Sequence, residues 1–454
     1  MVMAGSSASR LGALSAAAVL QVRCALCPFA GRRGELRAAR ESANDRARAQ
    51  RIGVASSRTF RVAMKEIPST PALRAVHVVP HVQAEASGPS YTVPALCEAL
   101  AREAHDVTLL SMTPFGESEP RVVPAPVRHL TVPEGRFSLA GYSAELRRRL
   151  RSCSASADII HNHGMWSFVN WDVGAATAAL DVPMVFAPRG CLSPVALRRS
   201  RLRKRVCWWF AQRRAVERAR CLHATSNKEV DEIRASGLRQ PIALIENGVD
   251  IPSLPQRSAS SDRRRALFLG RLHPIKGIDV LLDAWSQLSA AASSEWELWI
   301  TGPGPQRLRA DLQARAQALG LRDSVRWSEG VYGDAKVQAY ADADLYLLPS
   351  KTENFGMTVA ESMAAATPVL TTTGTPWRDL DERRCGFSVA PTVAGLRDGL
   401  EQALQTPADE LREMGARGRD WMAREFSWQQ IASRTAALYE WLTGRTSDVP
   451  SCLC

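Results

Sequence analysis

Two glutamates, Glu353 and Glu361, stand eight positions apart in PSKTENFGMTVAESMA, and Arg271 and Lys276 follow a short apolar run in ALFLGRLHPIKG. Carboxylates accept well from sugar and ribose hydroxyls. An arginine fork clamps phosphate oxygens, and a lysine adds a compact charge. A molecule with hydroxyls at both ends and a diphosphate between them, a nucleotide-sugar, needs both sets of groups in one crevice.

The elements that must hold these residues are legible around them. Leu345–Leu348 reads as a strand buried on both faces and closed by Pro349 and Ser350. A polar loop runs from Lys351 to Gly356, and a helix with Ala, Met and Val at helical spacing stops before Pro368. The order strand, loop, helix leaves the backbone N–H groups near Phe355, Gly356 and Met357 without intrahelical partners, facing out of the sheet edge. Glu353 belongs to the loop and Glu361 to the helix, so the two project to different parts of one crevice. Ala266–Gly277 repeats the pattern: a strand ends at Gly270, and Lys276-Gly277 opens a helix.

Taken together, E-x7-E, P-S-x-x-E-x-F-G, G-R-L-x-x-x-K-G and the ENGVD of residues 246–250 resemble the retaining, nucleotide-sugar-dependent glycosyltransferases of group 1, or family 4, from about Ala75 to Leu442. The resemblance implies the GT-B fold, α/β with two Rossmann-like parallel-sheet domains facing each other across a cleft. It implies that Arg271 and Lys276 neutralise the departing diphosphate, that Glu361 accepts from the ribose, and that Glu353 accepts from the sugar, helped by the amides of Phe355 and Gly356. Gly302, in GPGP, would let the backbone approach the nucleotide, and Val331 would flank the nucleobase. His163, second histidine of H-x-H-G, would face the donor sugar. Gly88 follows Ser87 where the family has two glycines, in the loop that approaches the donor phosphates. The donor would be a nucleotide-diphosphate sugar, with no metal or other cofactor required, and configuration would be retained. The acceptor would be a glycan or a polyprenyl-diphosphate-linked sugar of bacterial exopolysaccharide or lipopolysaccharide assembly.

The rest of the chain is read around that core. Residues 1–63 are Ala-, Ser- and Arg-rich without apolar periodicity, and Met64 stands just before the folded part, so they read as a disordered or misassigned leader. The first domain spans 64–247, a linker 248–265, the donor domain 266–424 and a tail 444–454; a helix at about 425–443 returns to the first domain. Strands are expected at Leu73–Pro80, His105–Ser111, Asp158–Trp166, Pro183–Gly190, Cys221–Ser226 and Ile242–Asp250, with Asn247-Gly248 as a turn. A helix at about Tyr91–Glu103 makes the first crossover, so the sheet is parallel. His161 and His163 share one face of their strand. No third ligand stands at a useful spacing, so His161 reads as structural and a metal pair is not favoured. Asp342-Ala343-Asp344 spells D-x-D but precedes its strand, which argues against a metal-diphosphate role.

An apolar share of 45% and 454 residues suit two globular domains, and no apolar run approaches a membrane span. The net charge of +12 points to anionic partners. Ten Arg or Lys and one acid lie in Arg198–Arg220 with Val206, Trp208, Trp209 and Phe210. Such a helix either lies on an anionic membrane, on the inner face of the cytoplasmic membrane, or packs its tryptophans on the sheet and leaves a solvated basic face. No recognised nucleic-acid module accompanies the charge. The ten scattered cysteines read as reduced thiols of a cytoplasmic protein. A nucleotide-sugar epimerase of the same fold and a non-enzymatic basic adaptor are the alternatives.

Overall fold

The computed structural model describes residues 72–82, 88–113, 123–134, 142–198, 200–258 and 263–454. The expected leader and Ser87 lie outside the described residues. Strands β1 (Arg74–His81), β2 (Asp106–Thr113), β3 (Arg128–Pro133), β4 (Ile159–His163), β5 (Met184–Ala187), β6 (Cys221–Ala224) and β7 (Ile242–Leu244) form one parallel sheet in the order β3-β2-β1-β4-β5-β6-β7. Strands β8 (Arg264–Leu269), β9 (Trp296–Thr301), β10 (Val325–Ser328), β11 (Leu345–Leu348), β12 (Val369–Thr372) and β13 (Gly386–Val389) form a second parallel sheet, β10-β9-β8-β11-β12-β13.

The strand orders place the site. In the second sheet the chain moves outward from β8 to β10 and then returns to the other side of β8 as β11. The segments leaving β8 and β11 therefore diverge to opposite faces and leave a crevice at the carboxyl ends of the strands. Arg271 and Lys276 follow β8, and Glu353 follows β11. The first sheet repeats the logic at β1 and β4, which puts Gly88 and His163 at its own switch point.

Burial follows the sequence pattern. β4, β5, β6, β11 and β12 are buried at every position, as parallel strands covered on both faces must be. Two strands escape sequence reading: β3 is a half-exposed edge, and β13 is a four-residue edge opening on Gly386, whose missing Cβ would stand 2.2 Å from the Val369 carbonyl.

The final helix, Trp428–Leu442, packs Ile431, Ala432, Leu438 and Tyr439 into the core of the first sheet although it follows the second domain in sequence. At the crossing, the Val249 amide donates to the Phe426 carbonyl at 2.8 Å. Asn247-Gly248, expected as a turn, is a packing requirement instead. A Cβ on Gly248 would lie 2.3 Å from the Trp428 ring, and Asn247 is buried. The last residues cover the edge of β7: the Leu244 amide donates to Cys452 O at 2.7 Å and the Cys454 amide to Ile242 O at 2.8 Å.

Asp342 and Asp344 sit at the amino end of β11, away from the crevice. Asp344 binds Arg257 at 2.9 Å and the Arg265 amide at 2.8 Å, and Asp342 accepts from the Ser258 amide at 2.7 Å. They fasten the linker to the sheet. The eight described cysteines are all free thiols. Gly248→Ala is expected to destabilise the protein by about 1–3 kcal/mol through overpacking against Trp428. Thermal unfolding checks this; an unchanged midpoint would show that the indole moves aside without cost.

Candidate active site

The acid and base that the sequence sets far apart meet at the second sheet's crevice. Lys276 Nζ lies 2.6 Å from Glu353 Oε1, and the Ser350 hydroxyl donates to the same oxygen at 2.6 Å. Gly277 explains the approach. Its φ is 68°, and a Cβ there would stand 2.1 Å from the Pro349 carbonyl at the end of β11, so only glycine lets the Lys276 turn close on the Glu353 loop. The Lys351 amide donates to Ile275 O at 2.8 Å and binds the two turns together. Arg271 is exposed and forms no ion pair or side-chain hydrogen bond among the described residues.

Gly356, at φ 82°, caps helix Met357–Ala364, and Phe355 is buried against Trp377 and Phe426. Glu361 forms a second pair that the sequence does not suggest: Lys336 Nζ is 2.6 Å from Oε1, and the Tyr340 hydroxyl donates to Oε2 at 3.0 Å. Both carboxylates thus carry a lysine and a hydroxyl. Gly302 differs from expectation. The group it lets approach is the Gly270 carbonyl, 1.9 Å from where a Cβ would stand, so its first duty is to bring the ends of β8 and β9 together. Val331 is partly buried against the second core. Gly88 opens helix Gly88–Arg102, with empty space where a Cβ would point.

The first domain grips the Glu353 loop from the other side. Lys228 Nζ donates to the Glu353 carbonyl at 2.9 Å and touches Thr352 Oγ1. Asn354 Nδ2 reaches Thr225 Oγ1 at 2.8 Å and Glu229 Oε2 at 3.3 Å. Glu229 is buried and also accepts from the amides of Gly190 at 2.6 Å and Thr225 at 2.8 Å. The signal for Glu229 was present: Ser226 and Glu229 have capping-box spacing, and the Ser226 hydroxyl does accept from the Glu229 amide. Nothing in the sequence points to Lys336.

His163 departs from its expected position. It does not face an open cleft; it is fully buried, with Nε2 3.1 Å from His77 Nδ1 and Nδ1 3.3 Å from an Arg189 guanidinium nitrogen. His77 also supplies the neighbour that sequence spacing lacked: ring nitrogens of His77, His161 and His163 lie within 4.8 Å of one another. His161 Nδ1 is 2.6 Å from the Tyr439 hydroxyl and its Nε2 3.1 Å from His223 Nδ1. Burial, reinforced by the Arg189 charge, pushes His77 and His223 down to about 3 and holds His161 and His163 well below the usual imidazole range.

The basic stretch is not one helix. It runs as helices Pro194–Arg198, Arg201–Cys207 and Arg213–Glu217, with a π-helical turn at Trp208–Gln212. The turn points Gln212 inward, where Oε1 accepts from the Trp166 amide and Trp171 Nε1, both at 3.0 Å. It leaves Leu202 80%, Trp209 60% and Phe210 78% exposed, while Trp208 packs on the core. No helix among the described residues is long and apolar enough to cross a membrane.

Residues 250–421 match the family model of glycosyl transferases group 1, and residues 86–252 match that of glycosyltransferase family 4. The chain belongs to this glycosyltransferase family. It is 29% identical over 380 residues to the glycogen synthase of Mycobacterium tuberculosis, covering 76% of this chain and 88% of that one. It is 27% identical to D-inositol 3-phosphate glycosyltransferase 2 of Catenulispora acidiphila, covering 83% and 96%. The crystal structure of Anabaena HepE in complex with UDP and glucose superposes with a TM-score of 0.64 at 17% identity, over 81% of this chain and 99% of that one. The fold is GT-B and the protein is a hexosyltransferase-type glycosyltransferase, which sets aside the epimerase and the adaptor.

The buried histidines carry a pH consequence. Their unfolded counterparts gain protons near the ordinary value of 6.5, while folded His77 and His223 do so only near 3. Between those limits the unfolded chain binds more protons, so stability falls as pH drops from about 6.5 towards about 3, by up to about 1.4 kcal/mol per pH unit for each such histidine. Chemical denaturation at stepped pH measures the slope. In His77→Gln/His223→Gln it should be shallower.

Proposed function

We propose that the protein moves a hexose from a nucleotide-diphosphate donor, with retention of configuration, to a glycan or polyprenyl-diphosphate-linked acceptor in bacterial cell-surface polysaccharide assembly. The observation that carries the reading is the Lys276–Glu353 pair at the second sheet's switch point, whose loop is gripped from the opposite domain by Lys228 on the Glu353 carbonyl and by Thr225 and Glu229 on Asn354. In this reading the donor lies against the second domain. Lys276, with exposed Arg271, takes up the charge that develops on the departing diphosphate, the term preorganised cations are best suited to supply. Glu353 accepts from the sugar beside the amides of Phe355 and Gly356, and Glu361 accepts from the ribose. Val331 and the Gly302 turn lie along the nucleotide, and Gly88 along its phosphates. No metal is assigned a part.

Retention comes from the resemblance to the retaining group 1 enzymes. With Glu353 Oε1 engaged by Lys276 and Ser350, the reading assigns that carboxylate no covalent step and has the acceptor attack from the face the leaving group vacates. His163 acts from below the surface, through its contact with Arg189. The lipid-linked acceptor is supported by Trp209, Phe210 and Leu202, exposed among arginines on the first domain. That combination suits the headgroup region of an anionic membrane and supports a peripheral protein of the cytoplasmic face.

Glu353→Gln is expected to lower transfer from the donor by at least about 100-fold with the unfolding midpoint preserved; near-wild-type turnover in that variant would end the assignment. Replacing Trp209 and Phe210 together by serine should abolish co-flotation with vesicles containing phosphatidylglycerol and leave transfer to a short soluble acceptor unchanged. Equal flotation of the two proteins would remove the membrane from the reading.

A further inference from the structure

The buried histidines form more than a cluster. Arg189 donates to His163 Nδ1 at 3.3 Å, His163 Nε2 lies 3.1 Å from His77 Nδ1, and His77 Nε2 lies 3.2 Å from the Tyr439 hydroxyl. That hydroxyl is 2.6 Å from His161 Nδ1, His161 Nε2 is 3.1 Å from His223 Nδ1, and His223 Nε2 is 2.7 Å from the Ile245 carbonyl. Every ring nitrogen of these histidines therefore has one partner. The two ends fix the direction, because a guanidinium only donates and a carbonyl only accepts. His223 must carry its proton on Nε2 to reach Ile245, so its Nδ1 accepts from His161 Nε2–H. His161 Nδ1 then accepts from the Tyr439 hydroxyl, whose oxygen accepts from His77 Nε2–H. His77 Nδ1 accepts from His163 Nε2–H, and His163 Nδ1 accepts from Arg189. A single proton arrangement satisfies the whole run, with every imidazole neutral.

This arrangement argues against a metal at His77, His161 and His163. Each lone pair that would bind the ion is already spent on a hydrogen bond, and a guanidinium abuts the trio. It also explains the energetic oddity at the other end. Arg189 forms no ion pair among the described residues; it donates to Asn247 Oδ1 at 2.6 Å and to His163, and its Nε has no partner. The nearby carboxylate, Glu229, is taken by Gly190, Thr225 and Asn354. Arg189 also holds a left-handed φ of 56°, strain of the kind that collects at functional sites. Burial lowers its pKa only to about 10, so it stays charged at neutral pH. It keeps part of its surface accessible, and the next residue, Gly190, meets Asn354 of the catalytic loop. A buried cation whose nearby carboxylate is engaged by other donors is only partly compensated, and an arriving anion would complete the pairing.

We propose that Arg189 is the first domain's receptor for a phosphoryl group in the cleft, and that His163, His77, Tyr439, His161 and His223 are its positioning residues. The proposal rests on the glycosyltransferase reading and adds a binding group on the wall opposite Lys276. The phosphoryl group belongs either to the donor's diphosphate or to a diphosphate-linked acceptor.

Calorimetry on the full chain, using uridine or guanosine diphosphate, whichever the wild type binds, and then inorganic pyrophosphate added to the nucleotide-saturated protein, separates the two sources. Arg189→Gln should weaken the nucleotide by at least about tenfold if the donor is the source. If the acceptor is the source, it should leave the nucleotide unchanged and remove pyrophosphate binding to the saturated protein. Wild-type binding of both ligands by Arg189→Gln overturns the receptor while Lys276→Gln still weakens the nucleotide; loss in neither variant sinks the glycosyl-transfer site as well. Nitrogen-15 histidine spectra read the positioning directly. Four of the eight imidazoles should carry the proton on Nε2 and not titrate between pH 5.5 and 8. Tyr439→Phe, which removes only the hydroxyl, should produce mixed tautomers and weaken the Arg189-dependent ligand several-fold. An Nδ1-protonated member in the wild type, or unchanged tautomers in Tyr439→Phe, would defeat the chain.

Discussion

The constraint on which the rest depends is that each carboxylate of this cleft is held by donors. Lys276 answers Glu353, Lys336 answers Glu361, and Glu229 is satisfied by four donors drawn from two domains. Unpaired, each would face the desolvation cost of a charge taken out of water. Paired, each is held at one position, and the backbone around it is held with it. Gly277 takes a left-handed conformation because the pairing demands a backbone approach that a side chain would block. Chemistry and local fold are thus one problem, solved by the same contacts.

Those contacts also make the catalytic loop a property of both domains. Ser350–Gly356 leaves the second sheet, yet Lys228 and Asn354 tie it to the helix that follows β6 in the first. Glu353 and Glu361 on one wall and cations on both suit a ligand that is neutral at its ends and anionic in its middle. The first domain takes part in the crevice directly, because its β5 and β6 ends meet the Ser350–Gly356 loop.

Much of this was legible in the residues. Leu345–Leu348 falls at its expected bounds, and the final helix expected at about 425–443 runs Trp428–Leu442, because an apolar run closed by proline and helical periodicity are strong local signals. The motif residues Lys276 and Glu353 meet because switch-point topology leaves them no other place. What could not be read was the partner drawn from elsewhere in the chain. His77, His161, His223 and Tyr439 come from three strands and a helix, and their alignment exists only after the sheet forms. Gly302 and Gly248 show a related limit: a glycine signals a close approach without saying whether the neighbour is ligand, carbonyl or indole. The basic stretch was read as one helix because charge hides the π-helical turn that Gln212 requires.

The double crossing between the domains has a mechanical meaning. The chain passes from the first sheet to the second at Gly248-Val249 and returns at Phe426–Trp428, and the two passages lie side by side, joined by a backbone hydrogen bond. Two adjacent tethers act as a pin: they let the lobes swing about one axis but resist sliding and twisting. Any movement about that axis would bring Lys228 and Asn354 back to the same seats.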